Sequence, residues 1–575
     1  MTSDYPLYTE KRECQDCYKC VRHCPVKAIS VHEGSALVTH ELCIYCGRCY
    51  EICPVGAKKI PLQLNKAEQI IRRKKEVFVS LSPSFFSEFS DKKERVFSFL
   101  FQKGIKGISE TAIGAEFISR AIDELPADEN GILISTACPV IVNLVNLYYP
   151  ELEKNLTPLA SPMIVHGRYL REKHGDQIGV IFIGPCIAKK SEALDEKYSI
   201  DCALTFEELQ EWMEGEPKPL DDTKTYPQDF LEIRAHKASL YPLDGGMIQS
   251  LTQEKSEVKY FNISGIDRVR DTLEELKQNI KEEEGTSFFE LLSCSGGCIN
   301  GPARMSDLSY YRKSSSLMDN MKNREPFKLD DTPPLIQDYK KEAPLPIPQF
   351  TEEQIEAVLV GLDKRNPEDR LNCGGCGYNS CYDFAVAKLQ GKAENAMCAG
   401  NMRKQAQKKV NALIKTMPSA VVIVNQSRQI VECNNRFLEY FSELDQLDDP
   451  DLAEKAKGLN VENFVSFSPY FMDVLKYKKE KQERLQINGS VFRTTFFTIE
   501  KDHLAGAIIE DVTQPSIRRE TIITRAEEVI RKNLSSVQQI ASLLGENAAE
   551  TEIILNSVIE ELKPPAHGNT NEKLY

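Results

Sequence analysis

The chain has 575 residues, of which 41% are hydrophobic and 27% are charged, and its formal net charge is −14. This length is too great for one hydrophobic core and predicts about four domains. The negative charge, without a concentrated basic stripe, argues against nucleic acid as a main partner. The polar N-terminus predicts no signal peptide, and no apolar run approaches the ~18 residues of a membrane span. We therefore expect a cytoplasmic protein without a membrane segment, in a compartment where clustered cysteines bind metal more often than they form disulfides.

Residues 1–61 carry the pattern Cys-x2-Cys-x2-Cys-x3-Cys-Pro twice, at Cys14, Cys17, Cys20 and Cys24 and again at Cys43, Cys46, Cys49 and Cys53. This repeat is typical of a two-cluster bacterial ferredoxin, in which three thiolates hold one cubane and the fourth reaches across to the other. It predicts one 4Fe–4S cluster on Cys14, Cys17, Cys20 and Cys53 and a second on Cys43, Cys46, Cys49 and Cys24. Zinc is disfavoured, since zinc sites usually use two Cys-x2-Cys pairs and need no following proline.

Residues 62–345 alternate between strand-like and helical segments, which predicts an α/β domain with parallel sheets. Strands are expected at residues 77–81, 131–135, 178–183 and 203–205, and helices at 66–75, 110–125 and 206–213. Cys138 and Cys186 each follow one of these strands. Both are therefore expected at loops beyond the strand ends, where such folds usually bind their ligands.

Three short loops, residues 135–139, 184–189 and 293–298, are rich in Gly, Pro and small residues and contain Cys138, Cys186, Cys294 and Cys298. Such loops let backbone N–H groups approach a bound ion or cluster. From the residues alone, a four-cysteine metal site and isolated buried thiols both remain open. The spacing Cys294-x3-Cys298, with Gly296 and Gly297 between the thiols, favours the metal site.

The three loops resemble the three signature motifs of the iron-only (FeFe) hydrogenases, and Ser82-Pro83, Gly114-Ala115 and Gly245-Gly246-Met247 are similar to that family as well. The resemblance implies an H-cluster, which is a 4Fe–4S cluster on Cys138, Cys186, Cys294 and Cys298 that Cys298 bridges to a diiron subsite with CO, cyanide and azadithiolate. The implied catalytic residues are Ala137, Lys189 and Glu192, since Lys189 matches the family's cyanide-binding lysine and Glu192 an acid of the same motif. The implied cofactor-binding residues are Gly184, Pro185 and Gly297.

The chain departs from the family pattern at several positions. Ala137 stands where the family has a proton-donating cysteine, Gly184 replaces a methionine, and residues 121–122 are Ala-Ile where the family has an acid pair. The third motif ends in Asn300-Gly301-Pro302 instead of a glycine run. The loss of one positioned proton-transfer group typically slows a reaction by about 10²–10⁴. The resemblance therefore implies low activity and favours the sensory branch of the family.

Residues 350–408 contain Cys373-x2-Cys376-Gly377-x3-Cys381 and, further on, Cys398. This arrangement resembles the small 4Fe–4S domain of several anaerobic redox proteins, and it predicts a third accessory cluster. Zinc remains an alternative. Residues 381–397 are predicted to form one helix that carries Cys398 back towards the loop.

Residues 409–515 are predicted to form strands at 420–424, 430–431, 491–499 and 505–510, with a helix that ends at Phe441 and an Asn488-Gly489 hairpin. This order resembles a PAS domain. Residues 516–575 show helical apolar spacing and are predicted to be a signalling tail. Cys433, like Cys202 of the central segment, is interpreted as a core thiol.

The whole pattern predicts a multidomain α/β and α+β protein that binds H2 and slowly oxidises it to protons, with reduction of an acceptor. Its expected partners are a redox protein such as a ferredoxin, a second copy of the chain in a homodimer, and a kinase or phosphatase that reads the signal in trans. Two alternatives stay open. One is a slow hydrogenase enzyme without a sensory role, and the other is an iron–sulfur carrier or redox sensor that lacks the diiron subsite.

Overall fold

The computed structural model describes residues 5–125, 131–194, 199–215, 225–231, 234–252, 255, 257–279, 285–322, 324, 332–339, 348–441, 452–477, 479–513 and 529. The chain divides into two compact units, Met1–Met397 and Cys398–Tyr575. The predicted helical tail at 516–575 lies outside the described residues except for position 529. The further division into five segments stays a prediction.

The N-terminal part of the first unit repeats one local structure twice. Its elements are β1 (Tyr8–Thr9), α1 (Lys19–His23), β2 (Ile29–His32), β3 (Ser35–Val38), α2 (Arg48–Glu51) and β4 (Lys58–Lys59). Strand β1 pairs antiparallel with β4, and β2 with β3. In each half a cysteine loop turns into a short helix through a left-handed residue, Tyr18 (φ 51°) or Gly47 (φ 77°). The two cysteine motifs thus give equivalent backbones.

Two parallel sheets form the centre of the first unit. One has the order β6-β5-β8-β9, with β5 (Val77–Leu81), β6 (Gly107–Glu110), β8 (Gly179–Ile183) and β9 (Cys202–Leu204). The other has the order β10-β11-β7, with β7 (Ile132–Ile134), β10 (Val258–Ser264) and β11 (Thr286–Leu292). Every residue of β5, β8 and β11 is buried, as expected of parallel strands whose two faces are covered by helices.

The helices of this part are α3 (Leu64–Arg73), α4 (Phe85–Glu88), α5 (Lys93–Gln102), α6 (Ala112–Glu124), α7 (Pro139–Tyr148), α8 (Pro162–His174), α9 (Ala188–Glu192), α10 (Phe206–Glu214), α11 (Gly246–Ser250), α12 (Ile266–Asn279) and α13 (Tyr310–Asp319). The predicted mixed α/β character is confirmed. Strands β10 and β11 and helices α7, α8 and α12 were absent from the sequence-based prediction.

The last part of the first unit contains α14 (Glu352–Gly361) and α15 (Cys381–Leu389). The prediction of one continuous helix over 381–397 is wrong. Helix α15 ends at Leu389, and Gly391 (φ 71°) takes the left-handed conformation that commonly follows a helix end. The amide of Lys392 then donates to the carbonyl of Ala387 at 2.8 Å, and only residues 395–397 form a further helical turn.

The second unit begins with α16 (Ala399–Thr416) and continues with β12 (Ala420–Asn425), β13 (Ile430–Cys433), α17 (Asn435–Phe441), α18 (Leu452–Ala456), α19 (Pro469–Tyr477), β14 (Lys481–Ile487), β15 (Ser490–Glu500) and β16 (Leu504–Asp511). The strands form one antiparallel sheet of order β13-β12-β16-β15-β14. Asn488 and Gly489 join β14 to β15 with positive φ at both positions, which confirms the predicted hairpin.

Cys202 and Cys433 are both buried, at 0% and 1% exposure, as expected of core thiols. All eighteen cysteines fall within the described residues, and none of them forms a disulfide. Within those residues, no helix is both long enough and apolar enough to cross a membrane.

Candidate metal centres

The first cysteine loop joins β7 to α7. Cys138 caps the N-terminus of α7, and Pro139 occupies the first helical position, where its missing N–H costs nothing. The hydroxyl of Thr136 donates to the carbonyl of Leu159 at 2.5 Å and lies 2.9 Å from the hydroxyl of Thr157. The loop is therefore fixed on both sides, and Cys138 sits at the positive end of a helix dipole.

The segment that follows the third loop is held by backbone hydrogen bonds to the second loop and to residue 242. The amide of Ala303 donates to the carbonyl of Pro185 at 3.1 Å, and the amide of Ile299 donates to Pro242 at 3.2 Å. Gly297 has φ 95°, and a Cβ built there would lie 2.2 Å from the oxygen of Pro242. A Cβ on Gly301 would lie 2.6 Å from the oxygen of Pro185. These close backbone approaches explain why glycine occupies both positions.

The four predicted ligand cysteines of the central segment converge on one cavity of about 80 Å³, which we call the thiol cavity. Its walls include all four thiol residues together with Ala137, Pro185 and Lys189. Sequence separation between these cysteines reaches 160 residues, so the parallel pairing of β7 with β11 is what brings the first loop beside the third. Gly184 and Gly297 lie in the supporting loops and are not among the residues that line this cavity.

The electrostatics of the thiol cavity fit a cationic ligand. Burial, followed by the charge of Cys138, raises the pKa of the Cys186 thiol to about 11. Burial and the neighbouring thiolates likewise raise the pKa values of Cys294 and Cys298 well above the usual range. Four thiolates can share this space only if a positive charge joins them, as an iron–sulfur core does. The donor set therefore fits such a group.

Lys189 and Glu192 form an ion pair at the edge of the cavity. The Lys189 Nζ lies 2.5 Å from a carboxylate oxygen of Glu192, one helical turn further along α9, and both side chains are about nine-tenths buried. Lys189 lines the cavity, whereas Glu192 does not. Glu192 therefore orients the ammonium group of Lys189 and does not itself face the thiols.

A second cavity of about 90 Å³, which we call the apolar cavity, adjoins the first, and the two share Ser82, Ala137, Phe182, Lys189, Leu292 and Cys298. Its remaining walls are mainly apolar, with side chains such as Met163 and Met247. Ala137 thus faces both spaces and brings no ionisable group to either. Residues 121 and 122, the other departures from the family's proton path, are absent from these walls.

Two polar side chains of the apolar cavity escaped the sequence-based prediction. Tyr241 is buried, and its hydroxyl lies 3.0 Å from that of Ser119. Glu290 lies on β11, and its carboxylate accepts from the amides of Met247 (3.3 Å) and Ile248 (3.1 Å). Burial raises the pKa of Glu290 to about 7 against the effect of those amides. A lone acid inside the apolar run Phe288-Phe289-Glu290-Leu291-Leu292 was the available signal, since such acids are rarely buried without a role.

The N-terminal cysteines form two groups that exchange one member each. The charges acting on Cys20 include those of Cys14, Cys17 and Cys53, and those acting on Cys49 include those of Cys46, Cys24 and Cys43. We call these groups the Cys17 set (Cys14, Cys17, Cys20, Cys53) and the Cys24 set (Cys24, Cys43, Cys46, Cys49). This is the crossed arrangement that a two-cluster ferredoxin requires.

Lys58 is a further residue that the sequence alone did not single out. It is 2% exposed, and its Nζ donates to the hydroxyl of Thr9 at 2.8 Å and to the carbonyl of Ala36 at 2.5 Å. Its charge acts on Cys20 as well as on Cys43 and Cys49, so it lies near both sets.

The Cys24 set adjoins the thiol cavity, because Tyr45 and Cys46 contribute to the walls of that cavity. The contact between the two parts of the unit is specific. The Tyr148 hydroxyl donates to the carbonyl of Leu42 at 2.7 Å, and Arg48 pairs with Asp267 at 2.7 Å. The Cys24 set and the thiols of the cavity are therefore neighbours.

Cys373, Cys376 and Cys381 belong to the first unit, and Cys398 is the first residue of the second. Cys381 begins α15, where Ser380 caps the helix and the Cys381 amide donates to Asn372 at 2.7 Å. Cys373 is exposed and Cys381 is buried. Among the described residues, no three His, Cys, Asp or Glu side chains converge tightly enough to hold a single metal ion.

Family models match three parts of the chain. The iron only hydrogenase large subunit, C-terminal domain, matches residues 75–302. The 4Fe-4S dicluster domain matches residues 6–54, and an Fe-S cluster family matches residues 369–399. The fold and these matches define an iron–sulfur protein of the hydrogenase-like oxidoreductase class.

The chain is 22% identical over 308 residues to Iron hydrogenase 1 of Clostridium pasteurianum, which covers 43% of this chain and 53% of that protein. It is 21% identical over 408 residues to the NADP-reducing hydrogenase subunit HndD of Solidesulfovibrio fructosivorans (57% and 69% covered). It is 22% identical over 373 residues to the nuclear prelamin A recognition factor of Xenopus laevis (51% and 81% covered). The chain thus matches little more than half the length of Iron hydrogenase 1. The hydrogenase and dicluster matches together support an FeFe hydrogenase-family protein.

Proposed function

We propose that this protein is a sensory-type FeFe hydrogenase that binds H2 and oxidises it slowly. The observation that carries the proposal is the convergence of Cys138, Cys186, Cys294 and Cys298 on one cavity, beside a second cavity whose wall has Ala137 where the family has an acid. In this proposal the four thiols hold a 4Fe–4S cluster, and Cys298, which faces both cavities, also holds the diiron subsite. The bound H-cluster would supply the chemistry that converts H2 into two protons and two electrons.

The residues around the two cavities would exclude water, bind the ligands of the cofactor and enclose it. The apolar walls exclude water from the second cavity, which strengthens every electrostatic interaction inside it. Lys189, oriented by Glu192, presents N–H donors to an anionic ligand such as cyanide. Gly184, Pro185 and Gly297 keep the loop backbones close enough to enclose the group.

Slow turnover follows from what is missing at position 137. A thiol there would receive or give a proton at the wall of the apolar cavity, but the methyl group of Ala137 does neither. The loss of one such group typically costs about 10²–10⁴ in rate. A low rate is unsuited to metabolism, whereas it is sufficient for reporting whether H2 is present.

In the same proposal the two electrons leave through the Cys24 set, and the PAS-like residues 409–515 with the tail at 516–575 transmit the redox state. A ferredoxin, a second copy of the chain and a kinase or phosphatase in trans would be the partners. The five-stranded antiparallel sheet supports the PAS interpretation. Coupling requires two states with different contacts, and the clusters' redox change is the proposed switch between them.

The test uses the full chain, matured anaerobically, under H2 or argon. We expect electron paramagnetic resonance (EPR) signals of reduced 4Fe–4S clusters under H2 alone, with dye-linked turnover far below that of metabolic relatives. A rate comparable to those relatives would contradict the sensory role. A failure of H2 to reduce any cluster would contradict hydrogenase chemistry.

A further inference from the structure

The loop that contains Cys376 is packed directly against the helix that leads to Cys24. Gly377 has φ 95°, and a Cβ built there would lie 2.7 Å from Cγ1 of Val21. The Arg22 guanidinium donates to the carbonyl of Gly375 at 3.3 Å. The two predicted iron–sulfur segments, about 350 residues apart in sequence, therefore touch through backbone as well as side chains.

Lys27 joins the two segments at this contact. Its Nζ donates to the carbonyl of Gly377 at 2.7 Å and to those of Val21 (3.1 Å) and Arg22 (3.0 Å). Burial lowers the pKa of Lys27, and the charges of Cys24 and Cys376 both oppose that effect. One ammonium group therefore lies near a thiol of each segment.

A second pair of contacts fixes the same docking. The amide of Val31 donates to the carbonyl of Lys392 at 2.9 Å, and the amide of Glu33 donates to the carboxylate of Glu394 at 2.8 Å. Glu394 also approaches the first cysteine loop, where burial and this neighbouring charge raise the pKa of Asp16. The docking is therefore a built interface and not a single side-chain contact.

The Cys24 set faces the thiol cavity on its other side. Tyr45 and Cys46 line that cavity, and none of its walls comes from the Cys17 set. Cys17, by contrast, is exposed to solvent. The Cys24 set thus has the thiol cavity at one side and Cys376 at another, while the Cys17 set offers a surface for an external carrier.

We propose that the Cys24 set is the branch point of the electron path, and that Lys27 is the positioning residue that connects it to the predicted iron–sulfur site of the Cys376 loop, which we call the Cys376 site. One electron would pass from the 4Fe–4S cluster that the Cys24 set would hold to the cluster that the Cys376 site would hold, so the first cluster would be oxidised by one electron and the second reduced by one. No bond forms or breaks and no proton moves in this step. The proposal rests on the proposed function only for the source of electrons. Each H2 yields two protons, which go to solvent water, and two electrons, which enter the clusters.

The first test measures magnetic coupling in the full, cluster-loaded chain by EPR at partial reduction. We expect the signals of the Cys24 set and the Cys376 site to broaden each other. Gly377→Ala should remove this broadening, because its Cβ collides with Val21. Gly374→Ala is the matched control in the same loop, since Gly374 has φ 70° and a Cβ there meets only the oxygen of Tyr378 at 3.9 Å. Uncoupled signals in the unsubstituted chain would overturn the proposal, whatever the variants do.

The second test measures cluster potentials in Lys27→Met, with Lys27→Arg as the charge-retaining variant and exposed Lys11→Met as the control. Removal of a nearby positive charge should disfavour the reduced form of both the Cys24 set and the Cys376 site by about tenfold. For a one-electron couple this is a shift of about 59 mV to lower potential. Equal potentials in Lys27→Met and the unsubstituted chain would overturn the role of Lys27.

The branch-point proposal and the proposed function can fail independently in these experiments. Reduction with a chemical reductant reports the branch point even if H2 reduces no cluster. Conversely, if the chain oxidises H2 but the Cys376 site is magnetically uncoupled, the proposed hydrogenase function stands and the branch-point proposal is wrong.

Discussion

The two adjoining cavities of the first unit differ in what they retain. The thiol cavity keeps every ligand that the FeFe hydrogenase resemblance implies, from loops that are tied together by backbone hydrogen bonds. The apolar cavity keeps Lys189 and Cys298, which the resemblance also implies, but position 137 carries a methyl group. The residues proposed to hold the cofactor are thus present, whereas the residue proposed to transfer a proton is replaced.

The contrast suggests that the two tasks can be altered independently. Ligand thiols are coupled, since burial and the charges of neighbouring thiolates together raise the pKa values of Cys294 and Cys298, and the removal of one ligand unbalances the set. A proton donor at the wall is a single group whose loss changes a rate and leaves the architecture intact. A substitution at position 137 can therefore alter proton transfer without removing a ligand of the thiol cavity.

The largest expected effect is the loss of the cluster from the thiol cavity. Cys138→Ser should remove one 4Fe–4S cluster, or about four irons per chain, because a thiolate ligand is lost at a helix N-terminus. Cys202→Ser is the control, since Cys202 is an equally buried thiol of the same unit that contacts Gln63 instead. An iron assay decides the outcome, and equal iron in both variants would contradict the ligand assignment.

The next largest effect is expected at the apolar cavity. Ala137→Cys should raise H2 turnover by about 10²–10⁴, because a proton-transfer group returns to the wall that both cavities share. Ala137→Ser has nearly the same volume without an acidic thiol and should stay close to the unsubstituted rate. If Ala137→Cys matures fully and the dye-linked rate does not change, the missing thiol is not what limits turnover.

A smaller effect is expected on the stability of the loops. Gly297→Ala places a Cβ against the oxygen of Pro242 and should lower the free energy of unfolding by about 4 kcal/mol or more. Gly175→Ala is matched in backbone conformation, with φ 94° against 95°, but has open space around its Cβ. It should cost only the conformational strain of about 1–3 kcal/mol. Equal denaturant midpoints would contradict the close approach of the third loop to Pro242.

The smallest effect is a pH dependence that arises at Glu290. Its pKa, raised by burial to about 7, means that the folded chain keeps a proton that the unfolded chain releases near the ordinary value of 4.5. This contribution to stability is therefore complete below pH 4.5 and is lost as the pH rises through 7, with a total of about 3 kcal/mol. Glu290→Gln should lack it. A protonated-carboxyl infrared band that is present at pH 5.5 and absent from the variant would report the group directly, and its absence from both proteins would contradict the assignment.

The sequence predicted those features that depend on neighbours along the chain. The duplicated cysteine motifs, the Asn488-Gly489 hairpin and the strands after which Cys138 and Cys186 lie all follow from local patterns. The prediction of one helix over 381–397 was wrong, because the helix ends before Gly391, which takes the left-handed conformation. The spacing of apolar residues does not change at a single glycine, so it could not predict this helix end.

Features that depend on distant parts of the chain could not be read in this way. Strand β11 contains Glu290 within an apolar run, and its partner β7 lies more than 150 residues earlier. Lys27 and Lys58 look like ordinary surface lysines in the sequence. Only the fold brings Lys27 to a carbonyl 350 residues away and buries Lys58 near two groups of thiols. The resemblance to a family implied the ligands, whereas only the packing between segments shows which of the predicted cysteine groups are neighbours.

The most direct test of the central claim is the infrared spectrum of the anaerobically matured full chain. If the thiol cavity and the apolar cavity together hold an H-cluster, the spectrum must contain the bands of metal-bound CO and cyanide. These bands should disappear in Cys298→Ser, since Cys298 is the ligand that faces both cavities. A fully iron-loaded chain without CO or cyanide bands would contradict the account and leave an iron–sulfur redox protein of the same fold.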